Sequence, residues 1–267
     1  MTVPSTVGRF QGLSDVRLVG RQIRYEQLSF WLNPMAAAFT VGFSVVFLIL
    51  LGASEGSSRI GFYGNIKLIQ YYVPGFVAYG VMAACFNILA VTLVNRREMG
   101  LLKRLRLSPL PTWALLAAIL VSSMIIAAIQ VVVLLAVGRL GFSVHFPGNP
   151  AAFLLAVVVG MVSFSALGVA MSTVVPNQDA AGPIVSIVFF VLLFLSGLWF
   201  PLKPGSGLAQ FSSYFPVHHF ITAVFAPFDI QKGASPWAWH DLLVMALWGV
   251  AGAAVAVRRW KWSPRRG

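Results

Sequence analysis

"NRREMGLLKRLRLSPLP", residues 95–111, gathers five of the chain's nineteen Lys and Arg residues into one short run. The sequence on either side of it is apolar, from Ile69 to Val94 before the run and from Leu110 to Val137 after it. A helix crossing the ~30 Å hydrocarbon core needs about 20 mostly apolar residues. Lipid offers the backbone no hydrogen-bond partners, so the helix must satisfy them internally. A basic run held between two such stretches is a loop at a membrane surface, and the chain around it is predicted to be a bundle of spanning helices.

Working outward, four more stretches meet the same test: Pro34 to Gly52, Ala152 to Val175, Pro183 to Phe200 and Asp241 to Val257. Composition agrees. The chain is 58% hydrophobic and 10% charged with 21 Phe and 8 Trp, and its mean hydropathy is +0.84, whereas roughly a quarter of residues in soluble domains are charged. The expected fold is an all-α integral membrane protein with six transmembrane helices. Residues 1–33 form an N-terminal segment, 34–257 the six-span domain and 258–267 a basic tail. The first apolar run starts after about thirty polar and basic residues, too deep for a signal peptide, so no cleavage is expected. The single Cys85 falls inside the second span, which excludes an intrachain disulfide and suits a packing role.

Charge sets the expected orientation. With both termini in the cytoplasm, the inner segments hold Arg9, Arg17, Arg21, Arg24, Arg96, Arg97, Lys103, Arg104, Arg106, Arg258, Arg259, Lys261, Arg265 and Arg266. The outer loops hold Arg59, Lys67, Arg139, Lys203 and Lys232. Basic residues concentrate on the cytoplasmic side of membrane proteins, so this arrangement is favoured. The net charge of +12 is accounted for by anionic inner-leaflet lipid, and no nucleic-acid partner is expected.

The segment Phe10 to Trp31 carries Val16, Val19, Gly20 and Ile23 on one stripe with Arg17, Arg21 and Arg24 beside it, the pattern of a helix lying in the membrane interface. Pro34 in "WLNP" breaks it and suits the first turn of the following span. "GASEGSSRIGFYGN", 52–65, reads as an exposed connector. "VVPNQDAAGP", 174–183, reads as a tight turn with Asn177 and Asp179 as turn formers and Pro183 restarting the helix. Residues 196–228 are apolar and aromatic but broken by Pro201, Pro204, Pro216 and Pro227, so no piece can span. They suit a re-entrant or interfacial pair of short helices, Gly207 to Tyr214 and Val217 to Phe225, on the outer side.

Several chemistries are disfavoured. The chain has no phosphate-cradling G-x-x-x-x-G-K-[ST] loop for ATP, and no H-E-x-x-H, C-x-x-C or G-x-S-x-G motif. Its seven acids, Asp15, Glu26, Glu55, Glu98, Asp179, Asp229 and Asp241, all sit in loops or at span ends. Proton-driven pumps place ionisable groups at membrane depth, so an ion-gradient motor is disfavoured. His218 and His219 with Asp229 nearby raise a hydrolytic or metal site. Adjacent histidines point to different sides of a helix, and the expectation is interfacial polar residues with no metal.

Asn87, Thr92, Gln130, Ser163 and Ser165 lie inside spans, where polar side chains either hydrogen-bond between helices or line a solute path. Asn87 suits a path better, because Phe76, Tyr79, Met82, Ala83 and Phe86 recur near it at helical spacing. Phe189, Phe190, Phe194 and Trp199 add aromatic surface to the fifth span and its end. Such a wall either lines a route for a lipid-like or aromatic solute or faces lipid.

Taken as a helix from Arg96 to Leu107, the opening stretch puts Met99, Leu101, Leu102 and Leu105 on one face and Arg96, Arg97, Lys103 and Arg104 on the other. Glu98 falls in the apolar sector. Either Asn95 is an N-cap with Glu98 completing a capping box, or Glu98 makes a polar contact with a partner or a neighbouring helix.

This stretch resembles the Arg-Glu-x-Gly segment, followed by a basic leucine run and Pro, of ABC-2 type ABC transporter permeases. "FLSGLWFPL" (194–202) and "YFPVHHF" (214–220) resemble that family's later signature. The likeness covers nearly the whole chain and is greatest to bacterial drug and natural-product exporters of the daunorubicin-resistance type. It implies that Arg96, Arg97, Glu98, Met99, Gly100, Leu101, Leu102, Lys103, Arg104 and Leu105 form a cytoplasmic coupling helix docking on a separate nucleotide-binding subunit, with the N-terminal helix beside it. It further implies two permease subunits, identical or not, two ATPase subunits that bind the ATP and Mg, and a path between the permeases lined by the second and fifth spans. No cofactor belongs to this chain. Gly197, Pro201, Pro216, His218 and His219 would form the outer re-entrant gate, where "KPGSG" is shorter than the usual link and "PVHHF" replaces a Pro-Leu-Thr-Tyr-like run. The function so implied is export of a hydrophobic or amphipathic solute across the bacterial plasma membrane. The rival functions are a lipid-modifying membrane enzyme and a non-transporting scaffold.

Overall fold

The computed structural model describes residues 12–61, 65–99, 112–199, 201–203, 205–228 and 235–260. Six helices in it are long and apolar enough to cross a membrane: Ala38–Glu55, Leu68–Glu98, Ala114–Phe142, Pro150–Val174, Gln178–Leu195 and Trp239–Arg259. Strand is confined, among the described residues, to a two-residue pairing of Arg59–Ile60 with Ile66–Lys67 inside the expected connector. The protein is an all-α membrane bundle.

Local chemistry moves several boundaries. Pro34 opens a short helical turn, Pro34–Ala37, that runs into a π-helical turn, Ala38–Gly42, before the regular helix of the first span. The fifth span starts earlier than expected. Asn177 is its N-cap, accepting from the backbone N–H of Ala180 at 2.9 Å, so a free amide is satisfied there. Pro183 therefore lies inside that helix rather than restarting it. The fourth span begins in the same way, with Asn149 capping Ala152 N–H at 3.0 Å and Pro150 in the first turn.

The second span is the centre of the bundle. It is the most buried of the six within the chain, and Phe76, Val77, Met82, Cys85 and Leu89 are all inaccessible. It is interrupted by a π-helical turn, Ala83–Ile88. Gly168 of the fourth span lies against that turn, where a Cβ would come within 2.8 Å of the Cys85 carbonyl. A side chain there would force the two backbones apart, the reason small residues recur where membrane helices cross closely. Gly249 allows the sixth span the same approach to Ser163 of the fourth.

The first π-helical turn is also answered by a side chain. Gln130 of the third span, fully buried, donates to the Thr40 carbonyl at 3.0 Å and to Ser44 Oγ at 2.8 Å. This is the interhelical hydrogen bonding for which polar residues inside spans are suited.

Between the fifth and sixth spans lie two short helices, Gly207–Ser212 and Pro216–Phe225, close to the expected pair. The sixth span is entered through Ala238, whose φ of +42° is left-handed, a conformation costing a non-glycine residue roughly 1–2 kcal/mol. The stacked rings of Trp237 and Trp239, 5.4 Å apart and 3° from parallel, flank that corner.

Candidate coupling site, aromatic wall and loop-side polar cluster

The basic stretch begins differently from the expectation. Asn95, Arg96, Arg97 and Glu98 belong to the last turns of the second span's helix, which ends at Glu98 with Met99 as its C-cap. Asn95 is thus interior to a helix and cannot be an N-cap, which removes the capping box. Arg97, expected on an exposed basic face, is only 4% exposed. Its guanidinium donates to the carbonyls of Ser172 at 3.0 Å and Val175 at 2.8 Å, with a longer contact to Pro176 at 3.4 Å. A helix leaves its last carbonyls without intrahelical partners and partly negative. The fourth span ends at Val174, so Arg97 closes that end. Glu98 accepts from Arg97 Nε at 2.8 Å.

Arg96 turns the other way. It forms a two-pronged ion pair with Glu26 of the N-terminal helix, Gly12–Trp31, one arm at 2.6 Å. Glu26 is 8% exposed and also accepts from Gln22 at 2.9 Å. The next residue, Gln27, donates to the carbonyl and hydroxyl of Ser122 in the third span at 2.9 and 2.8 Å. Arg17, Arg21 and Arg24 stay exposed. Two consecutive arginines therefore tie the end of the second span to the fourth span and to the N-terminal helix. A cavity of about 410 Å³ opens beside this junction, lined by Glu26, Asn33, Thr40, Thr92, Arg96 and Ser123 among others. Met99 is exposed. Gly100, Leu101, Leu102, Lys103, Arg104 and Leu105 lie outside the described residues.

The same contacts sort the loops by side. The N-terminal helix and the ends of the second and fourth spans share one face. On the other face, Gln70 meets His145 at 3.1 Å, Gly148 N–H donates to the Pro227 carbonyl at 2.8 Å, and the Tyr71 hydroxyl donates to the Gly197 carbonyl at 2.7 Å.

The expected path residues divide. Tyr79 lies 6.2 Å from Phe76 and 5.7 Å from Phe189, and Phe189 lies 5.7 Å from Phe190; Trp199 lies 6.1 Å from Phe76. Phe43 and Phe47 of the first span extend the series, to Tyr79 at 5.7 Å and to Trp199 at 5.3 Å. The sequence reading missed these two because each span was read alone. Phe76, Met82, Phe86 and Phe189 are buried within the chain, whereas Phe190 and Phe194 are 50% and 60% exposed. Asn87 lies in the second π-helical turn, and its buried Oδ1 has no hydrogen-bond partner.

On the loop side, Gly197 adopts φ +78°, a conformation that favours glycine, and Tyr71 anchors its carbonyl. Pro201 is half-buried. Pro216 is buried in the first turn of its helix. His218 and His219 point apart, as adjacent helical residues must. His218 Nδ1 meets Ser212 Oγ at 3.1 Å, and Ser212 donates to the Leu195 carbonyl at the end of the fifth span. His219 Nδ1 meets Asp241 Oδ1 at 2.7 Å and its Nε2 meets the Ser213 carbonyl at 2.9 Å. The hydrogen bond to the Asp241 carboxylate holds the His219 pKa above its ordinary value, while burial and the neighbouring His219 push that of His218 down. The acid beside His219 is thus Asp241, distant in sequence; Asp229 lies outside the described residues.

Against known proteins, the family described as ABC-2 family transporter protein matches residues 54–258. The chain belongs to the ABC-2 transporter family. Among curated relatives, this ABC-2 family protein is 24% identical over 200 residues to Escherichia coli YbhR, named a probable multidrug ABC transporter permease. That match covers 73% of this chain and 54% of YbhR, so the chain spans about half the length of that relative. YvfS of Bacillus subtilis, named as a transport permease, is 24% identical over 180 residues, covering 66% of this chain and 70% of YvfS. ABC transporter G family member 20 of Dictyostelium discoideum is 30% identical over 140 residues, 52% of this chain and 19% of that protein.

Proposed function

We propose that this ABC-2 family protein is the permease subunit of an ATP-driven exporter in the bacterial plasma membrane, with both termini cytoplasmic. It moves a hydrophobic or amphipathic solute such as a drug, natural product or lipid-like molecule. Two nucleotide-binding subunits hydrolyse the ATP, and a second permease copy, identical or related, completes the path.

The observation that carries this reading is the double arginine tie. A segment that docks on a motor must transmit a displacement to the spans. Arg97 joins the root of that segment to the end of the fourth span, and Arg96 joins it to the N-terminal helix. In the proposal, residues 100–105 meet the ATPase while Arg96, Arg97 and Glu98 pass its motion on. The exposed Phe190 and Phe194 face the second permease and the solute. Phe76, Tyr79 and Phe189 back that wall, and Gly197, Pro201, Pro216, His218 and His219 form the outer gate.

The test is reconstitution of the chain with its ATPase in sealed vesicles. ATP-dependent flux of an aromatic dye is expected, with Leu102→Asp weakening co-purification, because an unpartnered carboxylate is costly to bury. Flux without ATP, or lipid turnover without the ATPase, would sink the proposal.

A further inference from the structure

We propose that His219, His240 and Asp241 form a binding site for a divalent transition-metal ion, zinc being the natural probe. The ion would fasten the short helix Pro216–Phe225 to the first turn of the sixth span. One donor atom from each residue lies within 4.8 Å of the others. His219 Nδ1 is 2.7 Å from Asp241 Oδ1, and His240 Nδ1 is 4.0 Å from the same oxygen. Donors of one tetrahedral zinc ion, with bonds of about 2.0–2.1 Å, stand roughly 3.3 Å apart. The two distances bracket that value, and His240, whose side chain is exposed, is the donor with room to move in.

The chemistry of the set favours this class of ion. Two imidazole nitrogens and one carboxylate suit zinc, copper or nickel, whereas calcium and magnesium take oxygen ligands. The second nitrogen of His219 is already engaged by the Ser213 carbonyl at 2.9 Å. Metal-binding histidines are generally oriented in this way by a backbone carbonyl or carboxylate, and here it leaves Nδ1 facing Asp241 and His240. An ion taking the Nδ1 lone pair displaces a proton to solvent.

The backbone supplies an independent observation. Ala238, two residues before His240, holds a left-handed φ of +42° between the stacked Trp237 and Trp239 rings. Strained residues held by their surroundings cluster at binding sites, and this corner fixes where the sixth span's first turn presents His240 and Asp241. The His240 side chain is 80% exposed, so the site has an open entry and a fourth position for water. The only thiol, Cys85, is buried in the second span and offers no competing ligand.

The experiment uses the full chain, purified in detergent through a tag without histidines, stripped with EDTA and titrated with Zn²⁺ by calorimetry. One ion per chain is expected. His240→Gln alters an exposed side chain and leaves the fold intact, and it should weaken binding by about tenfold or more. Asp241→Asn should do the same, and His145→Gln should bind as the wild type does. Absence of stoichiometric binding, or wild-type affinity in His240→Gln, would overturn the site.

Discussion

Arg97 shows how a charged residue can be structural at a membrane surface. Its guanidinium meets carbonyls at the end of the fourth span and the carboxylate of Glu98. Arg97→Gln leaves those groups short of donors in a buried place, and a loss of about 3 kcal/mol is expected. Denaturant titration of the purified chain measures it. Glu98→Gln keeps an oxygen for Arg97 Nε, so stability should stay within about 1 kcal/mol. If Glu98 serves the proposed coupling, its charge matters where its stability contribution does not. Hydrolysis and flux by the assembled Glu98→Gln complex should then separate, and equal retention of both would remove it from the coupling role. Gln130→Leu deletes the donor to Thr40 and Ser44; at roughly 0.6 kcal/mol per membrane hydrogen bond, about 1 kcal/mol should be lost in the same titration.

At the scale of elements, Phe189 and Phe194 of the fifth span make opposite predictions. Phe189 is 2% exposed and packs on Tyr79, so Phe189→Ala should cost about 3–5 kcal/mol through cavity formation. Phe194 is exposed, so Phe194→Ala should leave the monomer's stability within about 0.5 kcal/mol while altering dye-stimulated hydrolysis in the assembled complex. Unchanged stimulation would assign Phe194 to lipid. The spans themselves were legible in the sequence because lipid imposes length and apolarity on every crossing helix. Their starts were less so. Asn177 reads as a turn former and Pro183 as the residue restarting the helix, and only the geometry shows that the asparagine caps while the proline follows inside. Periodicity put Arg97 among exposed charges, because it has no means of sensing the orphan carbonyls of another span. The two π-helical turns carry no compositional mark. His219 and Asp241 lie far apart in sequence and meet only once the short helix packs on the sixth span.

For the whole molecule, the contacts group the loops into two faces, and the charge distribution predicts which is cytoplasmic. In a Cys85→Ser background, single cysteines at Ser57 and Lys203 should react with an impermeant thiol reagent added to intact cells. Cysteines at Ser29 and Asn177 should react only after permeabilisation, and the reverse pattern would invert the topology. The π-helical turn Ala83–Ile88 connects those faces in another sense. Relative to a regular helix, such a turn accommodates one additional residue, and one residue is worth about 100° of rotation. Tyr71, Tyr72, Phe76 and Tyr79 of the second span lie before it and Arg96 and Arg97 after it, so the turn sets the angular phase between the two halves. Removing one residue within 83–88 would restore an ordinary helix and swing the arginines about 100° away from the fourth span and the N-terminal helix.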